Sequence, residues 1–191
     1  MIEPTLSILI PCVRKHEFFL EQLLEELNEQ IKPFPNRVEI LVDKNEKDST
    51  GKKRNRLLEN ARGKYIVFID ADDEVFPCYI EEILIGAETD CDCMGMTGIM
   101  TTNGRNQIGW ELSKDFQNNT VTRKGKPFYI RKTNHISPVK RELALQTMFP
   151  DISNAEDKDY SDRLNHLLKK EYKIIPLMYH YIFQTHNKTY Q

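Results

Sequence analysis

Three times in its first half the chain repeats one pattern, an apolar run of strand length followed by a stretch with helical spacing, and this repeat limits the fold more than any other feature. "LSILIPC" (Leu6 to Cys12) is almost unbroken in apolar character, as expected of a parallel strand covered on both faces. In "HEFFLEQLLEELNEQI" the residues Phe19, Leu20, Leu23, Leu24, Leu27 and Ile31 recur at helical spacing, which predicts an amphipathic helix that stops before Pro33. "VEILV" (Val38 to Val42) is a second predicted strand, ended by Asp43, and "GKKRNRLLENARG" a second helix with Gly63 as its C-terminal stop. "KYIVFID" is the third strand, and Pro77 stands where a helix through "CYIEEILIGA" can begin. Strands and helices alternating at these lengths predict an α/β fold with a parallel, right-handed crossover sheet.

From Cys91 the pattern changes. "CDCMGMTGIMTT", "QIGWEL" and "TRKGKPFYIRK" read as strands of a mixed or antiparallel region; two helices, around Lys140 to Met148 and Glu156 to Lys169, then precede a last strand in "YKIIPLMYHYIFQ". No linker, internal repeat or low-complexity segment interrupts the 191 residues, so one domain over 1–191 is expected. Cys12, Cys78, Cys91 and Cys93 match no zinc spacing and are expected as reduced thiols. The first apolar segment is too short to span a bilayer and has neither a basic start nor a cleavage site, so a soluble, cytoplasmic protein is expected. A net charge of −2 argues for neither nucleic acid nor membrane. Residues 105–141, however, carry nine basic side chains against two acidic ones, either a solvated face or a surface for an anionic partner.

"YIVFIDADDEV" ends its apolar run in Asp70, Asp72 and Asp73. Like charges this close disfavour one another's ionisation, and a divalent cation removes the conflict. Mg²⁺ or Mn²⁺ is typically held by one or two carboxylates and the phosphates of a substrate. Ligands of open α/β sheets bind beyond the carboxyl ends of the strands, so Asp43 and the "DADD" cluster are expected to share one crevice. The plainer alternative is that Asp72 or Asp73 caps the helix near Pro77.

The ordered set "LSILIPCVRKHEFFLEQLLEEL", "VEILVDKNEKDSTG", "RNRLLENARGKYIVFIDADDEV" and "NAEDKDYSDRL" resembles the family 2 glycosyltransferases, inverting enzymes with the A-type nucleotide-sugar fold. The resemblance implies a mostly parallel Rossmann-like sheet flanked by helices, with residues 1–90 as the nucleotide-sugar half and 91–191 as a smaller, mixed acceptor-side half. It implies a nucleoside-diphosphate sugar donor, UDP first, and Mn²⁺ or Mg²⁺ as cofactor. By the same resemblance Pro11 and Asp43 fall at the nucleotide, Asp43 bonding the base. Arg54 and Asn55 match an "ARN" segment that contacts the nucleotide. Asp70, Ala71 and Asp72 match the D-x-D motif, Asp72 as metal ligand and Asp70 reaching ribose or metal. Asp157 matches the catalytic base and His186, in "THNKT", a His that completes the metal site.

The chemistry gives those roles independent meaning. Displacement at an anomeric carbon needs a base for the incoming hydroxyl and a Lewis acid for the departing diphosphate. Alternatives stay open at several positions: Glu156 and Asp157 suit the first turn of a helix, His180 and His135 rival His186, and Trp110 suits a core as well as a sugar ring. "DKNEKDSTG" lacks the usual acid pair and Gly-Ser turn, which weakens the assignment of the base. Without a long extension or membrane helix, a single-addition transferase is implied. The acceptor is expected to be a saccharide, a lipid-linked glycan or a polyanion such as DNA carrying a hydroxylated base. Two other readings remain: a nucleotidyltransferase of the same fold, disfavoured by the missing Gly-rich loop after the first strand, and an inactive nucleotide- or sugar-binding module.

Overall fold

A computed structural model describes residues 3–184. The first half forms β1 (Leu6–Pro11), α1 (Glu17–Ile31), β2 (Val38–Asp43), α2 (Thr50–Asn60), β3 (Tyr65–Phe68), β4 (Glu74–Val75) and α3 (Tyr79–Ala87). β1 is buried at every position and lies between β2 and β3, both parallel to it. Its alternate side chains feed two cores, which is why its apolar run is continuous. Ile8 and Ile10 pack with Leu20, Leu23 and Leu27 of α1 and with α3; Leu9 packs on the other face with Leu57 and Leu58 of α2. Each such buried side chain contributes roughly 1.5–3 kcal/mol.

Two local expectations are corrected. α2 ends at Asn60, with Ala61 extended, so Gly63 is not its helical stop. Gly63 serves close approach instead: its N–H donates to Ser7 Oγ (2.8 Å), and a Cβ there would stand 2.5 Å from the Ser7 nitrogen. α3 has Cys78 at its N-cap, with no side-chain cap, and the Ile80 N–H is taken by Gln30 of α1 (3.1 Å). Neither Asp72 nor Asp73 caps this helix.

The second half adds β5 (Cys93–Thr102), β6 (Arg105–Leu112), β7 (Asn119–Arg123), β8 (Lys126–Arg131), β9 (Val139–Lys140), α4 (Arg141–Thr147), α5 (Glu156–Asn165) and β10 (Glu171–Phe183). One sheet runs β2-β1-β3-β9-β5-β6-β8-β7, with β10 paired to β5 and β4. β9 joins the halves, antiparallel to β3 and to β5, and beyond it parallel and antiparallel pairs mix. β7 and β8 form a hairpin whose two turn residues, Lys124 and Gly125, have φ of 50° and 73°, as a two-residue primed turn requires. α4 and α5 pack on the α2 face through Ala144, Tyr160 and Leu164. The result is a three-layer α/β architecture. Among the described residues no helix is long and apolar enough to cross a membrane.

Candidate active site

The carboxyl ends of β1, β2 and β3 lie side by side, with Pro11 in register with Asp43. α2 begins at a Ser49 cap and carries three cations back toward them. Lys53, 3% exposed, donates to the Cys12 carbonyl (3.2 Å). Arg54, equally buried, donates to Asp70 Oδ1 (2.8 Å) and lies 3.5 Å from Glu156 Oε1. Its guanidinium sits over the rings of Phe68 and Phe149. Arg56 binds Asp43 (2.7 Å), whose other oxygen accepts the Asn45 N–H (2.9 Å).

The "DADD" carboxylates occupy three separate environments. Burial alone would raise Asp70, but the Arg54 guanidinium and the His135 ring, 3.4 Å from Asp70 Oδ2, outweigh it and hold this carboxyl well below the usual range. Asp73 goes the other way: burial and the Asp70 charge push it well above, although the Tyr179 hydroxyl (2.8 Å) and the Ile182 N–H (2.9 Å) donate to it. The same Tyr179 oxygen accepts the Asp70 N–H (3.3 Å), so the loop is latched to β10. Asp72 lies 3.4 Å from His16 Nδ1. The repulsion expected from the sequence is therefore relieved by an arginine, by a shifted carboxyl and by a separate location.

α5 supplies the facing wall. Ala155 precedes it at φ 63°, a left-handed conformation that costs a residue with a Cβ roughly 1–2 kcal/mol. That turn sends Glu156 inward to Arg54 and leaves Asp157 on the cleft, its side chain 45% exposed. No lysine or arginine pairs with Asp157 among the described residues; His135 Nδ1 is 3.9 Å from its Oδ2. His135 thus stands between Asp70 and Asp157. The cleft measures about 640 Å³, and Trp110, Tyr129, Arg131 and Tyr181 complete its walls. This volume suits a small-molecule substrate.

Of the predicted site residues, the structure brings Arg54, Asp70 and Asp157 into this cleft. Asp43 lies at the same sheet edge but does not line the cleft, because Arg56 and the Asn45 backbone engage it at the neighbouring strand end. Asp72 lines a separate cleft of about 320 Å³, with Phe19 and Glu26. Ala71 is buried. Asn55 is turned away, exchanging two hydrogen bonds with the Phe149 backbone (2.9 and 2.7 Å) and so clipping α2 to the chain after α4. His186 lies outside the described residues. Its rival His180 spends both ring nitrogens on Thr101 (2.9 Å) and Glu74 (2.8 Å). Trp110 fits both of its readings, 6% exposed against Tyr179 yet on the cleft wall.

The sequence model described as "Glycosyl transferase family 2" matches residues 22–144, more than half of the chain. The chain belongs to glycosyl transferase family 2. Among its relatives, EpsH of Bacillus subtilis (strain 168), which carries a glycosyltransferase name, is 25% identical over 166 residues, 82% of this chain and 47% of that protein. The uncharacterized glycosyltransferase YibD of Escherichia coli (strain K12) is 52% identical over 40 residues, 20% of this chain. Among solved structures, S. aureus TarS 1-349 superposes with a TM-score of 0.65 at 17% identity, covering 93% of this chain and 60% of that one. Its complex with UDP-GlcNAc gives 0.68 at 16%, covering 98% and 62%. The fold is the A-type nucleotide-sugar fold. This family 2 chain spans about half the length of EpsH and three fifths of the TarS structures.

Sequence reasoning missed Lys53, Tyr179 and the bridging place of His135. Lys53 adjoins Arg54 in "KKRN", a weak signal; the other two depend on contacts 65 or more positions apart, and no spacing rule reaches that far. The basic stretch is also more neutral than its composition, because acids from outside it pair with Lys132 (Asp162, 2.9 Å) and Lys140 (Asp90, 3.2 Å); within it Arg123 pairs with Glu111 (2.7 Å).

Proposed function

We propose that this family 2 chain moves one sugar from a nucleoside-diphosphate donor, UDP before other bases, to an acceptor hydroxyl with inversion at the anomeric carbon. The observation that carries the reading is the pair of unlike carboxylates across one cleft: Asp70 fixed by Arg54, and Asp157 with no lysine or arginine partner among the described residues. Asp157 Oδ2 takes the proton of the incoming hydroxyl. The bond from the acceptor's hydroxyl oxygen to the anomeric carbon forms as the bond from that carbon to the diphosphate oxygen breaks. One displacement inverts the centre. Arg54 ties Asp70 to Glu156 across the floor of the cleft, and Lys53 sets a buried cation at the end of β1. Asp43 retains lone pairs to accept a base N–H beside its bonds to Arg56 and Asn45. The solved TarS complexes with UDP-GlcNAc and UDP support UDP as the carrier.

Among the described residues no three His, Cys, Asp or Glu side chains form a metal cluster. The donor set still suits Mn²⁺ or Mg²⁺: Asp72, next but one to Asp70 in the chain and 3.4 Å from His16 Nδ1, supplies a carboxylate of the kind that holds a hard cation together with diphosphate oxygens. When bound, the cation supplies Lewis-acid neutralisation of the departing diphosphate.

On this reading the chain works as one unit, residues 1–90 holding the donor and 91–191 the acceptor. A saccharide acceptor is favoured over a polyanion such as DNA, because the aromatic cleft wall suits a sugar and Arg123, Lys132 and Lys140 of the basic stretch are each paired with a carboxylate. Calorimetric titration with nucleoside diphosphates, with and without Mn²⁺, tests the donor site. Mn²⁺-dependent binding of UDP that disappears in Asp72→Ala is expected; a folded protein that binds no nucleotide overturns the reading.

A further inference from the structure

We infer that His135 Nδ1 is a specificity-determining hydrogen-bond acceptor for a sugar hydroxyl other than the one that reacts, an inference that rests on the glycosyltransferase reading above. An ionised carboxylate can only accept, so the contact between His135 Nε2 and Asp70 Oδ2 (3.4 Å) places the ring proton on Nε2. In its neutral form the ring then offers a lone pair at Nδ1. That atom is buried without a hydrogen-bond partner among the described residues, on a residue only 8% exposed, and the ring lines the cleft. A buried acceptor left unsatisfied is costly, and native structures keep one only where something else supplies the partner.

The group nearest to filling that role cannot do so. Asp157 Oδ2, 3.9 Å from Nδ1, is itself an acceptor and too distant for a hydrogen bond. Two acceptors therefore face one gap, and a ligand that satisfies both must bring two O–H donors side by side. Neighbouring hydroxyls of one sugar ring do this, as does the reacting hydroxyl beside a hydroxyl of the donor ring; an isolated alcohol does not. The ring is also held ready for that role. The His135 carbonyl accepts the Phe68 N–H (3.1 Å) from β3, and the Asn134 side chain accepts the Ile136 N–H (3.2 Å), so the turn bearing the histidine is pinned from both sides.

Long-range proton–nitrogen spectra of protein labelled with ¹⁵N-histidine test the assignment, with the His135 signals identified by their absence in His135→Gln. The free protein is expected to show a protonated Nε2 and a bare Nδ1. The Nδ1 resonance should move with UDP-GlcNAc if the hydroxyl belongs to the donor ring, or with methyl β-glucoside if it belongs to the acceptor ring, and stay put with UDP alone. A protonated Nδ1 in the free protein overturns the inference. So does an Nδ1 that neither probe moves while UDP-GlcNAc binds by calorimetry. Failure of UDP itself to bind counts instead against the glycosyltransferase reading, and the tautomer still decides the premise here. In turnover, His135→Gln, which keeps an acceptor, should stay within about tenfold of wild type in kcat/KM, whereas His135→Leu should lose about ten- to a hundredfold, with UDP affinity unchanged in both. Equal losses in the two variants would reduce His135 to a packing residue.

Discussion

The two walls of the cleft treat their carboxylates in opposite ways. On the wall proposed to hold the donor, Asp70 is tied to Arg54, and just outside the cleft Asp43 is tied to Arg56 of the same helix. On the facing wall Asp157 stands at the start of α5 with no cation beside it among the described residues. A carboxylate bound to a guanidinium has its lone pairs committed to holding a position. One without that partner has them available to receive a proton. On the proposed reading, the contrast separates a wall that is assembled before substrate arrives from a wall that acts once it is there.

The strongest way to break this contrast is Asp157→Asn, which keeps shape and removes basicity. A general base contributes about 10²–10⁴ in rate, so kcat, followed as UDP release, should fall by that order while UDP affinity by calorimetry holds to within about twofold. A parallel fall in UDP affinity would show that the facing wall also builds the donor site and that the division is false.

The same contrast explains what the sequence made legible. The donor wall comes from three consecutive strand-helix units, so hydrophobic period, strand ends and the "DADD" cluster all lie within one readable stretch. The parallel β1–β2–β3 core followed directly from it. The facing wall is gathered from β6, β8, the turn before β9, α5 and β10. Trp110, Tyr129, His135, Asp157 and Tyr181 meet only through sheet pairing and helix packing, and local periodicity carries no record of that. Motif resemblance reached Asp157 but could not say that a histidine would stand between it and Asp70. Asn55 shows the converse: a residue inside a readable motif whose amide the fold spends on the Phe149 backbone.

A variant at the opposite edge of the sheet sharpens the comparison, because there an acid–arginine pair has no substrate to serve. Glu39, in register with Ser7 near the amino end of β2, accepts from Ser7 Oγ (2.6 Å), from the Arg62 N–H (2.6 Å) and from the Arg62 side chain (2.9 and 2.7 Å). Burial opposes ionisation, but these donors outweigh it and lower the carboxyl below its ordinary value. A lowered folded value means that the stabilisation is fully present above the unfolded value of about 4.3 and is lost as pH falls through the folded one. Glu39→Gln should cost about 1–3 kcal/mol at neutral pH and progressively less in acid, with UDP affinity unchanged. Melting curves at pH 7 and pH 3 decide: a gap that does not narrow in acid would mean that Glu39 stabilises by packing rather than by charge.

The smallest effect belongs to the region whose composition promised the most. Reversing Arg123, Lys124 and Lys126 to Glu alters the tip of the β7–β8 hairpin, at the far end of the sheet order from β2. Arg123 loses an exposed pair with Glu111, worth about 0–1 kcal/mol, and its place over the Phe128 ring (4.0 Å), worth about 0.5–1 kcal/mol at such sites. A stability change of about 1 kcal/mol is therefore expected, with KM for a saccharide acceptor altered by less than about twofold. A polyanionic acceptor would give a different signature, since each lost phosphate contact weakens binding and flattens its salt dependence. Measuring acceptor KM at low and at high salt in wild type and in the triple variant separates the two. A steep salt slope that the reversal abolishes would move the acceptor surface out of the aromatic cleft and onto the hairpin.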